Sequence, residues 1–268
     1  MPEATLQPLS ALPSEALAGL CGLLTDIDDT LTSDGAITAD ALDALGRLRQ
    51  AGLHLIPITG RPAGWSAPFA ACWPVDAIVA ENGAVALLPQ ASGGVHKIYQ
   101  QDAATRQRHF ERMQQVLRRI EQEVPGALRA RDSDGRETDI AIDHSEFTQL
   151  PPERIGQAVQ IMRSEGMNAT VSSIHINGWY GSHNKLEGAR WIVQQLFGRR
   201  LDDEIGRWAY VGDSTNDQLM FGHFPLSAAV ANVARFLPEL QALPRYLCRQ
   251  ERGAGFAELA DCILSARP

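Results

Sequence analysis

The sequence predicts an α/β protein in which a doubly wound parallel sheet is interrupted by an inserted α+β module. Three observations carry that expectation. Short apolar runs alternate with amphipathic helical segments through the first third of the chain. Two of the apolar runs, far apart in sequence, end in acidic loops. Between them the pattern changes to half-polar strands and longer helices, and then the buried pattern returns.

The first buried strand, residues 21–25, runs into Asp26-Ile27-Asp28-Asp29-Thr30. Residues 39–51 place Leu42, Leu45 and Leu48 at helical spacing, and Gly52 closes the helix. Residues 53–58 form a short strand ending at Thr59-Gly60-Arg61-Pro62, where proline can open the next helix. Residues 77–80 are a third buried strand, leading to Glu81-Asn82-Gly83. This β-α-β-α-β order is the signature of a doubly wound sheet.

The middle begins with a low-complexity loop at 89–94, followed by a long amphipathic helix at 103–124 and an alternating strand at 138–143. A second helix at 152–165 and an alternating strand at 171–177 complete a small sheet with one face covered and one open. From Lys185 the buried pattern resumes: a helix to Phe197, a strand ending at Val211, another at 226–230 and a last helix from about Phe256. The domain reading is a Rossmann-like core of residues 1–88 and 182–268 carrying an α+β cap of residues 89–181. There are no internal repeats.

The 268 residues suffice for two modules with a sizeable core. A formal charge of −8 argues against a nucleic-acid partner, whose phosphates need a basic face, but leaves room for a small anionic substrate. Cys21, Cys72, Cys248 and Cys262 lack C-x-x-C spacing and read as reduced thiols. The amino terminus has no basic segment followed by an apolar one, and no apolar stretch approaches membrane-spanning length. The expectation is a soluble cytoplasmic protein that engages neither nucleic acid nor membrane; the sequence sets no oligomeric state.

Carboxylates are costly to crowd at a strand tip unless a cation or a reaction needs them. The second acidic cluster, Gly212-Asp213-Ser214-Thr215-Asn216-Asp217, follows Trp208-Ala209-Tyr210-Val211 as the first follows its own strand. Loops at the carboxyl ends of neighbouring parallel strands converge on one crevice. Converged, the two clusters make an oxygen-only site suited to Mg²⁺. The histidines show no metal-ligand spacing, and no G-x-S-x-G elbow, P-loop or dinucleotide fingerprint is present.

On these residues the chain resembles a haloacid dehalogenase (HAD) superfamily phosphatase of the group with a large cap between the second and third motifs. Asp26-Ile27-Asp28-Asp29-Thr30 is similar to the first motif, D-x-D-x-T; Thr59 to the second; Lys185 to the third; and Gly212 to Asp217 to the fourth, G-D-x-x-N-D. Within the superfamily it looks most like Cof-type enzymes and the sucrose-phosphate, trehalose-phosphate and mannosyl-3-phosphoglycerate phosphatases: Glu81-Asn82-Gly83-Ala84 is typical of the group, and Gly253-Ala254-Gly255-Phe256 resembles the glycine-rich stretch before the final helix in several members. Ala231 departs from the glycine these enzymes often carry.

The resemblance implies an Mg²⁺-dependent phosphatase acting on a small sugar phosphate or related monoester. Asp26 is then the nucleophile and Asp28 the general acid and base. Thr59 donates to a phosphoryl oxygen, and Lys185 offsets the charge of Asp26 and phosphate. Mg²⁺ is held by Asp26, Asp213 and the carbonyl of Asp28, while Asn216 and Asp217 orient the ligands and Thr30 braces the loop. Arg61 stays outside the catalytic set. In the cap, alternation puts Ser173, His175 and Asn177 on one face of their strand, and Asp139 and Asp143 likewise on a face opposite Ile140 and Ile142, a polar sheet face of candidate sugar contacts; His144, Arg131, Trp179 and Tyr180 are weaker ones. The alternatives are a phosphomannomutase-like phosphotransferase and a non-catalytic sugar-phosphate sensor.

Overall fold

The structure, a computed structural model, describes residues 6–267. Most of the segment read as lacking a secretory signal lies outside the described residues. After β1 (Gln7–Pro8) and the short α1 (Ser14–Ala18), β2 (Gly22–Thr25) enters the molecule with all its residues buried. A hairpin of β3 (Thr32–Ser33) and β4 (Ala36–Ile37) closes the loop after it. α2 (Ala39–Gln50) starts where the Thr38 hydroxyl accepts from the Ala41 N–H, satisfying one free donor of the first turn. The helix buries Ala41, Ala44, Leu45 and Leu48 but leaves Leu42 exposed. β5 (His54–Pro57), α3 (Ala63–Cys72) and β6 (Ile78–Ala80) follow, as the sequence predicts.

β7 (Val85–Pro89) pairs antiparallel with β6 and with β8 (Val95–Tyr99), and Val85, Leu87, Val95 and Tyr99 pack on the core. The expected boundary at residue 89 therefore falls inside a hairpin whose turn is the low-complexity loop. We propose that the core domain runs to Tyr99 and that the cap begins after it.

The inserted module contains α4 (Ala103–Glu123), β9 (Leu128–Arg129), β10 (Ile140–Asp143), α5 (Pro152–Ser164), β11 (Asn168–Val171) and β12 (His175–Trp179). Its antiparallel sheet has the order β11-β12-β10-β9. α4 and α5 cover one face, where Met113, Val116, Ile120 and Met162 pack with Ile140, Ile142 and Ile176. The single strand expected over 171–177 is instead a hairpin with its turn at Ser172-Ser173-Ile174. The Ser172 hydroxyl accepts from the His175 N–H at 3.0 Å, so a local side-chain bond offers the backbone an alternative to the ladder.

The chain then returns through α6 (Lys185–Phe197), β13 (Trp208–Gly212), α7 (Gln218–His223), β14 (Leu226–Ala229), β15 (Tyr246–Leu247) and α8 (Arg252–Ser265). The main sheet has the order β1-β15-β14-β13-β2-β5, every neighbouring pair parallel. Alternation along β2 sends Leu23 to a cluster with Leu45, Leu48 and Phe256, and Leu24 to one with Ile192, Val193 and Phe221. Helices α2 and α8 thus cover one face, α6 and α7 the other. α8 begins four residues before the expected start because Gly253 is part of it: a Cβ there would lie 1.8 Å from the Thr38 hydroxyl oxygen, so glycine lets the two helices meet. No helix among the described residues is long and apolar enough to cross a membrane.

Candidate active site

Strand order decides the site. β13, β2 and β5 are adjacent and parallel, with Val211, Thr25 and Pro57 in register, so the residues that follow them leave the sheet along one edge. The Asp26 N–H donates to the Val211 carbonyl at 2.9 Å, extending the ladder by one bond. Asp26, Asp213 and Asp217 consequently converge, each offering an oxygen within 4.8 Å of the others. All three are buried.

Lys185 lies among them at the first turn of α6. Its Nζ donates to Asp26 Oδ1 and Asp217 Oδ1, both at 2.7 Å, and to Asn216 Oδ1 at 3.3 Å. Burial works against its charge, but Asp217 and Asp26 hold it protonated above the ordinary lysine value. Close backbone packing delivers the helix start here: a Cβ on Gly188 would stand 2.6 Å from Gly83 Cα, and one on Gly83 2.3 Å from the Asn184 carbonyl. Only glycines admit that approach between α6 and the Glu81-Asn82-Gly83 turn.

The three aspartates differ in what they have left to offer. Both oxygens of Asp217 are occupied: Oδ1 accepts from Lys185 and the Tyr210 hydroxyl, Oδ2 from the Asp213 and Ser214 N–H groups at 2.9 and 3.1 Å. Asp213 Oδ2 accepts from Asn232 Nδ2 at 3.0 Å, while its Oδ1 is buried with no hydrogen-bond partner among the described residues. Burial, with Asp26 and Asp217 close by, pushes Asp213 well above the usual carboxylate range. Burial likewise raises Asp26, against the pull of Lys185 and with the repulsion of Asp217 and Asp28. An orphaned buried carboxylate oxygen beside a second carboxylate is a donor set that fits a small divalent cation, with Asp217 orienting rather than ligating.

Asp28 faces the other way. Its Oδ1 accepts from Arg61 Nε at 2.9 Å. The rest of that guanidinium reaches into the inserted module, with Nη1 to Asp132 at 3.2 Å and Nη2 to Glu146 at 2.7 Å. Arg61 is 4 % exposed and rests over the Trp65 ring. Burial opposes its charge, yet Asp28, Glu146 and Asp132 more than compensate. Thr59 is fully buried, and its hydroxyl accepts from the Arg61 N–H at 3.0 Å. A cleft of about 310 Å³ opens beside Asp28 and Arg61. A second, of about 390 Å³, reaches Lys185 and Asn216 from the other side.

The polar face of the small sheet, expected to be open, is closed onto the core. Asn177 Nδ2 donates to the Gly60 carbonyl at 3.3 Å, as does Arg136 Nη1 at 3.0 Å. Asp139 is held by Arg136 at 2.7 Å and by Asn82 and Asn177, and burial pushes it up to about 7. His175 Nε2 sits 2.8 Å from Glu146. Asp143 accepts from the Glu146 and Phe147 N–H groups and so shapes a turn. Ser173 lies in the hairpin turn, where it lines the cleft with Asp28 and its carbonyl accepts from Ser145. Trp179 and Tyr180 pack in the module's own core, His144 bonds the Ser172 carbonyl, and Arg131 covers the Phe147 ring. Thr30 Oγ1 has no partner among the described residues; the bracing hydroxyl is Thr32, which bonds the Ile27 carbonyl and the Asp29 N–H.

Several residues here carried no signal of their own. Glu146 and Asp132 sit in cap loops, and only the fold brings them to Arg61. Tyr210 reads as one more apolar strand residue. Glu81 stands inside a recognised stretch without a role, and Asn232 follows the departing Ala231. Glu81 is buried and accepts from the Ala63 N–H in the core and from Glu137 and Thr138 in the cap, tying the two together.

A sequence model of the haloacid dehalogenase-like hydrolases matches residues 23–126. A phosphoglycolate phosphatase of Metallosphaera sedula is 27 % identical over 259 residues, covering 91 % of this chain and 98 % of its own length. A HAD/Cof-like hydrolase of Plasmodium vivax shares the fold with a TM-score of 0.68 at 17 % identity, over 95 % of this chain and 99 % of that one. The sucrose-phosphatase of Synechocystis, solved with sucrose and phosphate, does so with a TM-score of 0.63 at 18 % identity, over 91 % and 98 %.

Proposed function

We propose that this haloacid dehalogenase-like hydrolase, a phosphoric monoester hydrolase, depends on Mg²⁺ and cleaves a small sugar phosphate or related phosphate monoester through an aspartyl-phosphate. The observation that carries the reading is the unpartnered Oδ1 of Asp213 beside Asp26 in a buried cluster that also holds Lys185. Mg²⁺ would be held by Asp26, Asp213 and the carbonyl of Asp28, and would supply charge neutralisation to the phosphoryl oxygens.

Asp26 attacks phosphorus, so that a carboxylate-oxygen to phosphorus bond forms as the ester bond to the leaving oxygen breaks. Asp28 gives its proton to that oxygen, then takes one from the water that attacks the aspartyl-phosphate and frees Asp26. Lys185 steadies the nucleophile and the transferring charge, and Thr59 donates to a phosphoryl oxygen. The cleft beside Asp28 receives the leaving group. Relatives whose printed activities are on phosphoglycolate and sucrose phosphate support a compact substrate of either kind.

The experiment is a phosphate-release screen across sugar phosphates and small phosphorylated acids, with Mg²⁺ or with chelator. Release that needs Mg²⁺ and vanishes in Asp26→Asn is expected; turnover by the folded Asp26→Asn variant sinks the reading. Isomerised sugar phosphate in place of free phosphate, with a bisphosphorylated activator, would mark a phosphotransferase. Tight binding without release in saturating Mg²⁺ would mark a sensor.

A further inference from the structure

The cleft beside Asp28 has a second basic wall that the reaction does not use. Asp29 and Arg252 both adopt left-handed backbone, at φ 54° and 52°. Aspartate tolerates that region but arginine seldom visits it, and such conformations persist where the surroundings over-determine them. Here Asp29 Oδ2 accepts from Arg235 Nη2 at 2.9 Å, and Asp29 Oδ1 lies 3.2 Å from Arg252 Nε. The Arg252 N–H donates to Asn232 Oδ1 at 3.0 Å, and Asn232 Nδ2 in turn donates to Asp213 and to the Asp29 carbonyl. The strained arginine is thus pinned to the loop beside the proposed cation ligands.

At this wall two guanidiniums, Arg235 and Arg252, converge on the carboxylate of Asp29. Asp34, 3.9 Å from Arg252 Nη1, is 96 % exposed and screened by solvent. Arg252 Nε is buried and has no hydrogen bond among the described residues, its approach to Asp29 being an ion pair only. Arg61, across the same cleft, is spent on Asp28, Asp132 and Glu146. Arg235 Nη2 also stands 3.6 Å from Asp213 Oδ2, so an anion held here is a short distance from the reacting phosphoryl group.

We propose that Arg235 and Arg252 form a second anion subsite, which takes a carboxylate or a second phosphate carried on the leaving group. The favoured substrates are then short phosphorylated hydroxy acids or sugar acids, or bisphosphates, rather than neutral sugar phosphates. The inference rests on the phosphatase reading of the same cleft and sharpens its substrate class. Guanidinium groups match carboxylate and phosphate in shape and charge, whereas a neutral sugar leaves their donors to water.

The test compares kcat/KM within two matched pairs: phosphoglycolate against hydroxyethyl phosphate, and a hexose bisphosphate against the matching hexose monophosphate. The native protein is expected to prefer the doubly anionic member of at least one pair by about tenfold or more, and the pair that shows it tells carboxylate from phosphate. Arg252→Gly, which suits the backbone angle, is expected to collapse that ratio towards one, and Arg252→Lys to keep part of it. Ratios near one in the native protein, or a ratio that survives Arg252→Gly, overturn the subsite while leaving the phosphatase standing. No phosphate from any of the four esters overturns the phosphatase reading, and this one with it.

Discussion

Asp26 and Asp28 are two residues apart in one loop and belong to different halves of the machine. Asp26 is held by Lys185 alongside Asp217, Asn216 and Tyr210, all from the core sheet and its helices. Asp28 is held by Arg61, whose other donors end on Asp132 and Glu146 of the inserted module. The side-chain bond to Asp26, the proposed nucleophile, therefore comes from the core, whereas Asp28, the proposed acid, is linked through Arg61 to carboxylates of the inserted module. On the proposed roles, one loop ties its attacking group to the core and its proton donor to the inserted module.

The core half is the one whose loss costs most. Lys185→Met leaves Asp26 and Asp217 without their shared cation, and unpairing a buried charge costs about 3–5 kcal/mol. Turnover should fall by at least about 10³, since a preorganised charge at the reacting group is lost. The loss should be equal for good and poor leaving groups, because no partner of Lys185 touches the acid. Phosphate release from p-nitrophenyl phosphate and from an alkyl phosphate, with urea unfolding in chelator, checks all three expectations. A loss confined to the alkyl ester would erase the distinction between the halves.

Arg61→Met breaks the other half. Asp28, the proposed acid, loses the group that holds it, and general acid catalysis is worth about 10²–10⁴. The alkyl phosphate should therefore lose activity by about 10², with a much smaller loss for p-nitrophenyl phosphate, whose leaving group departs with little need of a proton. Half-saturation by Mg²⁺ should not move. Equal losses on both esters would mean that Arg61 acts on the phosphoryl group directly and not through Asp28.

The two halves were also unequally legible in the sequence. The core site lies at the ends of buried parallel strands, where apolar run followed by acid fixes both element and position, so Asp26, Asp213 and Asp217 follow from local pattern and shared sheet edge, whereas Lys185, at a helix start, is picked out only by the family resemblance. The cap offered only alternation. That pattern correctly separates Ile140 and Ile142 from Asp139 and Asp143, but it cannot say whether a polar face meets water or another domain. Here Gly60, Arg61 and Arg136 close it. The serine pair at 172–173 adds a local hydrogen bond that turned an apparent strand into a hairpin, a tertiary and side-chain effect with no period to detect. Arg61, next to a recognised threonine, had a neighbourhood but no visible partner until Glu146 came within reach.

The smallest effect tests the cap's end of the link. Burial works to raise the Glu146 carboxyl, but hydrogen bonds from His175 and Arg61 hold it down to about 2, against an ordinary 4.5. Its folded value lies below its unfolded one, so between them the unfolded chain binds more protons. The contact's contribution is complete above about pH 4.5 and is lost as pH falls through about 2. Glu146→Gln should remove that slope, lowering stability at pH 7 by on the order of 1–3 kcal/mol and converging with the native protein in acid. Urea midpoints of the two proteins at neutral pH and stepwise into acid measure the difference, which cancels every other titrating group they share. A gap that stays constant on acidification would show that Glu146 contributes shape alone, and the acid half would then be held to the cap by Asp132 through Arg61, without Glu146.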